Sequence, residues 1–481
     1  MTLGAERRIG DNIAKEIYRD PDYVDDPVLK DYVASVWLKL MKASALRGEM
    51  LPEQQEAFAW DVLLIKDPSI NAFALPGGYM GVHLGLISVV SSTDELASVL
   101  GHELSHVTQR HIARSMAKQG KQTPLMLGSM ILGMLVASRT GSLSAGNAAN
   151  AVMVGGPAAM MQSQLNFSRD MEREADRIGF SVMSDAGYDP QAFVTMFEKL
   201  DQAARLNDTG NYPYLRTHPL TSERIADAKA RQQLATPHTP QYLSPLHAMM
   251  AARAKVLVDP STQNYQNLVT VLAQTNMSQQ SLGRQIQMVY AAAMAQIRLR
   301  EWTLAHQNLT RLKALLPADE NAQLPFNLLE AELALAQGNT ALALQDLLPK
   351  AQTLHSQPRS VHLMVAQARL ATKQPTQIAQ VLDDLQLWVS EHPQDAMAWN
   401  LLGSALESQG QALRALRAQA EAYAAQYDNQ GAVDRLKAAQ QQILAMQRNH
   451  PLDNAMQMEA SIIDARLRVL QKSAREQALQ R

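Results

Sequence analysis

The 481-residue sequence has no cysteine. That excludes a disulfide framework, a thiol nucleophile and a thiolate zinc finger, so any metal must be held by His, Asp or Glu. A charge bias is missing too. The 44 Lys and Arg against 46 Asp and Glu leave a net charge of -2, which gives no electrostatic footprint for nucleic acid. Long apolar runs are also absent: the most apolar stretch, Leu125 to Ala137 (LMLGSMILGMLVA), falls short of the roughly 20 residues a membrane-spanning helix needs. It reads as a buried helix, or as an apolar flap or peripheral membrane contact. The opening MTLGAERRIGDNIAKEIYRD is charged and has no apolar core, so it is not a secretory signal. That leaves a cytoplasmic protein or one whose signal has been removed.

The chain is longer than one hydrophobic core usually covers, so two or more domains are expected. Thr236 to Pro245 (TPHTPQYLSP) is proline-rich without an apolar period and reads as a linker between residues 1–235 and 246–481. The first part mixes helical patterns with one extended run, INAFALPGGYMGVHLGLISVV, in which Pro76, Gly77 and Gly78 make a turn between two β-rich pieces. An α+β fold with a small sheet follows, then an all-α second part. There Ala305, Ala343, Ala379 and Ala415 recur at spacings of 38, 36 and 36, and Pro317, Pro358 and Pro393 follow the first three helix pairs. Trp399, Leu402, Gly403, Gly410, Ala415 and Ala422 fall close to the tetratricopeptide pattern, whose helix pairs stack into a superhelix with a protein-binding concave side. An ordinary helical bundle is the alternative.

Chemistry enters at HELSH. Ser92-Thr93-Asp94-Glu95 fits a capping box, and Leu96, Val99, Leu100 and Val107 give the following helix an apolar stripe. His102 and His106 are then one turn apart on one face and can share an ion. Glu103, about 100° around, can reach a water on that ion without ligating it. The metzincin continuation fails, because Gln109 stands where Gly is needed and Ile112 where His is needed. A third ligand must come from elsewhere. The second helix, FSRDMEREADRIGFSVMSDAG, ends at Gly187 and carries Glu172 and Asp176 on one face, where two carboxylates repel unless a cation joins them. Glu172 as ligand, with Asp176 bonded to the far nitrogen of a ligand histidine, completes a site. Glu174 points to another side and is expected to pair with Arg177. The alternative for EREADR is a solvated charged stripe.

INAFALPGGYMGVHLGL, HELSHVTQRH, EREAD and RTHPLTSERI occur in an order and spacing that resembles the HtpX-like gluzincin metallopeptidases. The resemblance implies a mainly helical zincin-type domain, one zinc ion on His102, His106 and Glu172, and Glu103 as the catalytic glutamate. It also implies that His218 can take the fourth zinc position and that Arg224 is a basic residue near the site; both join Glu103 in the expected catalytic set. With the repeats, it implies periplasmic residence and work on outer-membrane β-barrel proteins, their assembly machinery, and unfolded or misassembled clients. Tyr79 to Leu84 reads either as a sheet edge that pairs with extended substrate or as a core strand. His83 and His111 read as structural. A rival function is a chaperone or adaptor whose zinc site is latent, and a third is zinc as a structural staple only.

Overall fold

The computed structural model describes residues 1–118, 168–206, 213–234, 244–347, 357–449 and 451–478. Leu125–Ala137 and residues 236–243 of the expected linker lie outside them. The chain divides into two compact units, Met1–Pro325 and Phe326–Arg481.

In the first unit, α1 (Leu3–Arg19) starts at Thr2, whose hydroxyl accepts from the Ala5 N–H, and α2 (Pro27–Leu46) starts at Asp26, whose carboxylate accepts from the Leu29 N–H. Ile9, Ile13 and Ile17 of α1 pack with Leu63, Leu75 and Tyr79. A short α3 (Pro52–Ala57) leads into a sheet of β1 (Asp61–Ile65), β2 (Ala72–Leu75) and β3 (Tyr79–His83). Its order is β1-β3-β2, with β1 parallel and β2 antiparallel to β3. Between β2 and β3, Gly77 and Gly78 adopt φ of 74° and 85°, which is what the turn needs from residues without a Cβ.

Two expectations change here. The strand at Tyr79 is the central one, hydrogen-bonded on both sides, so it offers no edge to a substrate; the core-strand reading holds. The extended run also stops at His83, because Leu84–Val89 forms the short helix α4. Helices α5 (Thr93–Thr108), α6 (His111–Lys118), α7 (Arg169–Asp185), α8 (Gln191–Leu206), α9 (Pro213–Thr217) and α10 (Ser222–Leu234) follow, and α5 packs on α2, α7, α8 and β2.

The same unit continues with α11 (Pro245–Val258), α12 (Thr262–Gln274), α13 (Leu282–Leu299) and α14 (Trp302–Leu315). Helix α15 (Glu320–Ala336) contains Pro325, where the division falls. Two buried polar ties bind α11 to the α2 region. Arg253 donates twice to Asp26 at 2.8 Å. His247 donates from Nε2 to the Val90 carbonyl at 2.8 Å, so its Nδ1 accepts from the Tyr32 hydroxyl at 2.7 Å.

The second unit holds α16 (Thr340–Leu347), α17 (Arg359–Ala371), α18 (Pro375–Glu391), α19 (Ala396–Ser408), α20 (Ala412–Ala425), α21 (Asn429–Asn449) and α22 (Asn454–Ala478). Gly403 lets α19 approach α20: a Cβ there would sit 3.5 Å from the Ala415 carbonyl and 3.7 Å from the Ala418 Cβ. Asp395 ties three helices by accepting from Arg359, Trp388 and the Ala398 N–H. Ala305, Ala343 and Ala415 are buried, but Ala379 is exposed and Ile378 takes the buried position. The reason is the helix start. Pro375 opens α18 one residue earlier relative to the alanine, which turns Ala379 outward by about 100°. Among the described residues, no helix is long and apolar enough to cross a membrane.

Burial pulls the His247 imidazole down from 6.5 to about 4, against the pull of the Val90 carbonyl and Glu95. Its folded value lies below its unfolded one, so its contribution is intact above pH 6.5 and is lost as the pH falls from 6.5 toward about 4. The thermal midpoint should drop across that window, and His247→Gln should flatten the drop. Superimposable pH slopes for the two proteins would exclude His247 as a contributor.

Candidate metal centre

The site stands on two helices that touch through glycine. Helix α5 starts at Ser92, whose hydroxyl accepts from the Glu95 N–H at 3.1 Å, and its residues from Glu95 to Thr108 are all buried. The Glu95 carboxylate accepts from the Ser91 N–H and pairs with Lys199, so only the serine half of the expected capping box forms. Helix α7 starts at Ser168 and is followed by Gly187 at φ 86°. Where the two cross, a Cβ on Gly179 would lie 2.9 Å from Gly101 C and 2.9 Å from His102 N, closer than any real side chain allows. Glycine at both positions removes that barrier, and the EREAD face of α7 comes to rest against the histidines of α5.

His102, His106, Glu172 and His218 are all buried, with one donor atom of each lying within 4.8 Å of the others. His102 Nε2 is 3.0 Å from His106 Nε2 and 3.5 Å from Glu172 Oε2, and His106 Nε2 is 3.4 Å from Glu172 Oε1. His218 Nδ1 closes the group at 3.0 Å from Glu172 Oε1 and 3.3 Å from His102 Nε2. A tetrahedral ion with ligands at about 2.0–2.2 Å separates its ligand atoms by roughly 3.3–3.6 Å. Imidazole and carboxylate donors at these separations fit a metal ion, and the group could hold one. One further atom supports the fit: Glu103 Oε1 is buried without a hydrogen bond, 3.4 Å from His218 Nε2. Glu103 Oε2 is held by the Ala74 N–H of β2 at 3.0 Å.

A layer of charged groups holds these donors. Asp176 Oδ1 lies 2.9 Å from His102 Nδ1, an ionic contact off the line of a hydrogen bond. Arg224 donates to both Asp176 oxygens at 2.6 and 2.7 Å, contacts Glu172 Oε2 at 2.8 Å, and bonds the Pro219 carbonyl. Burial alone would depress the His102 imidazole, but Asp176 and Glu172 outweigh it and raise it to about 9 in the metal-free protein. Burial and the neighbouring His102 push His106 well below its ordinary value. Burial opposes ionisation of Glu172, yet His218 and His102 hold it well below the usual carboxylate range.

Every residue expected at the site is thus brought together: His102, Glu103, His106, Glu172, Asp176, His218 and Arg224. One pairing differs from expectation. Glu174 pairs with His111 at 3.0 Å and Arg114 at 2.8 Å in place of Arg177. His111, read as structural, contacts His106. His83, also read as structural, bonds Ser69 at 2.9 Å and lies near Asp67. Tyr214 was not singled out, though it sits four residues before His218 at helical spacing; its ring stacks on His218 with centroids 4.6 Å apart.

Comparison with known proteins agrees with this geometry. Fold and site are those of a metallopeptidase, and the family model described as Peptidase family M48 matches residues 30–232. The chain belongs to that family. It is 30% identical over 447 residues to the β-barrel assembly-enhancing protease of Escherichia coli (strain K12), covering 92% of this chain and 85% of that protein. It is 34% identical over 258 residues to a putative β-barrel assembly-enhancing protease of Vibrio cholerae, covering 53% of this chain and 49% of that one. The mitochondrial metalloendopeptidase OMA1 of Arabidopsis thaliana is 32% identical over 202 residues, 42% of this chain and 36% of that one.

The glycine contact gives a direct test. Gly179→Ala should destabilise the first unit by about 1–3 kcal/mol through overpacking and reduce metal content in parallel. An unchanged unfolding midpoint with full metal content would show that the crossing has slack.

Proposed function

We propose that this metalloprotease is a zinc endopeptidase of the periplasm. In this reading it cuts unfolded or misassembled outer-membrane β-barrel proteins and works beside their assembly machinery, with the helices from residue 246 onward selecting the client. The observation that carries the peptidase chemistry is the buried His102, His106 and Glu172 group with a hydrogen-bond-free oxygen of Glu103 at its rim. The similarity to the Escherichia coli β-barrel assembly-enhancing protease supports the barrel-assembly part. Two imidazoles and a carboxylate suit zinc among the divalent ions.

Zinc bound there would supply a Lewis acid for the scissile carbonyl and lower the pKa of a water toward about 7. Glu103 is built for the proton: the Ala74 N–H fixes Oε2, so Oε1 takes a proton from the attacking water and passes it to the departing amine. Arg224 touches no reacting atom in this arrangement; it positions Glu172 and, through Asp176, His102. Because β3 is central, β2 is the strand near Glu103 that lies at the sheet edge among the described residues, and we assign the pairing of extended substrate to it.

Glu103→Gln keeps every proposed ligand and removes the base. It should retain zinc while lowering cleavage of an unfolded substrate by about 100-fold or more. Full support of barrel assembly by that variant in cells would favour the adaptor reading over the protease.

His218 already sits among the donors, so a water or carbonyl entering the group must displace its imidazole. We read this as a closed resting state that opens when client binding moves the His218 segment. His218→Ala should then raise basal cleavage, self-cleavage included, with zinc retained. Slower cleavage by the zinc-loaded variant would instead assign His218 to stabilising the oxyanion.

A further inference from the structure

We infer that His111 and Glu174 form a relay that fixes the ring and proton of His106, making them positioning residues for the metal site; this rests on the metal reading above. His106 faces the donor group with Nε2, so as a neutral ligand it carries its hydrogen on Nδ1. That Nδ1 is 2.9 Å from Nδ1 of His111. Two nitrogens facing each other share one hydrogen, so the His111 nitrogen must accept. The remaining hydrogen of His111 then lies on Nε2, where Glu174 Oε2 accepts it at 3.0 Å. Arg114 anchors Glu174 at 2.8 Å. The proton assignments agree from end to end.

Backbone geometry is arranged for this contact. Between α5 and α6, Arg110 adopts φ 54°, a left-handed conformation that costs a non-glycine residue free energy. Its guanidinium is held by Glu6 at 2.9 Å and by the Met1 carbonyl at 2.7 Å. The turn folds His111 back under His106, with ring centroids 4.8 Å apart, and buries it completely.

The arrangement mirrors the other histidine. His102 is met directly by Asp176, which Arg224 anchors. Glu174 lies on a different side of α7 from Glu172 and Asp176, and an interposed imidazole spans the gap to His106. All three acids of EREAD are then used for the site, one as a donor and two as orienting groups. Removing the acceptor at His111 would free His106 to place its hydrogen on Nε2, where it could no longer donate a lone pair to the ion.

The test is zinc affinity of the full-length protein, by competition with a chromophoric chelator, together with the d–d spectrum of the cobalt(II)-substituted form. His111→Leu should weaken zinc binding by about 10- to 100-fold, the range expected when a partner of a ligand histidine is lost, and alter the cobalt spectrum. His111→Asn places an amide oxygen near the lost Nδ1 and should recover most of the affinity. Glu174→Leu should shift both readings in the direction of His111→Leu by a smaller factor. The relay is overturned if His111→Leu binds zinc within threefold of the parent, if His111→Asn is as impaired as His111→Leu, or if Glu174→Leu changes neither reading. A parent protein that takes up no zinc, or a His102→Ala variant that takes it up equally well, would overturn the metal reading itself.

Discussion

The centre depends on how closely α5 and α7 approach at Gly101 and Gly179. Packed helices usually keep their axes 8–10 Å apart because side chains intervene. Here the contact is backbone on backbone, and Glu172, two turns before Gly179, reaches His102 and His106 without stretching. Metal ligation tolerates errors of a few tenths of an ångström, so a wider crossing would leave the donors too far apart. The sheet, α2 and α8 brace α5 from its other sides, which keeps the HELSH turn from yielding.

Charge balance explains what the crossing can hold. Glu103, Glu172 and Asp176 are all at most 8% exposed, and Arg224 is the buried guanidinium that meets Glu172 and Asp176. Burying carboxyl groups is costly unless cations accompany them. Part of the deficit in the metal-free protein falls on His102, whose imidazole is raised to about 9 by Asp176 and Glu172 despite its burial. A divalent ion held there would meet the same carboxylates at shorter range.

Legibility of this in the sequence followed the range of the interactions. His102, His106 and Glu103 could be placed from helical spacing, and Glu172 with Asp176 from the same rule on a second helix. His218 and Arg224 came from resemblance, since nothing local in RTHPLTSERI points at a metal. β1 was not separated from its surroundings because Val62–Ile65 is buried on both faces and shows no alternation. That β3 is central and not an edge is a fact of strand order, which one strand's residues do not encode. Glu174 was placed on the correct side of α7 but given a neighbour on its own helix, whereas its partners come from α6. Ala379 was given the wrong phase because a period counted in residues ignores where each helix starts.

Repetition in sequence and compactness in space also answer different questions. Helical hairpin patterns begin just after residue 245, yet α11 to α14 belong to the same compact unit as the metal centre. The ties are few and specific: the Asp26 carboxylate caps α2 through the Leu29 N–H while its oxygens hold Arg253, and His247 bridges Tyr32 to Val90. Val90 lies just before Ser92, the residue that starts α5, and the Tyr32 hydroxyl also lies 3.2 Å from Thr93 Oγ1 in its first turn. Helix α11 is therefore bonded to the root of the helix that carries His102, Glu103 and His106. These hydrogen bonds are buried, and their partners cannot turn to solvent when strained, so α11 and the start of the helix that carries His102, Glu103 and His106 are held together.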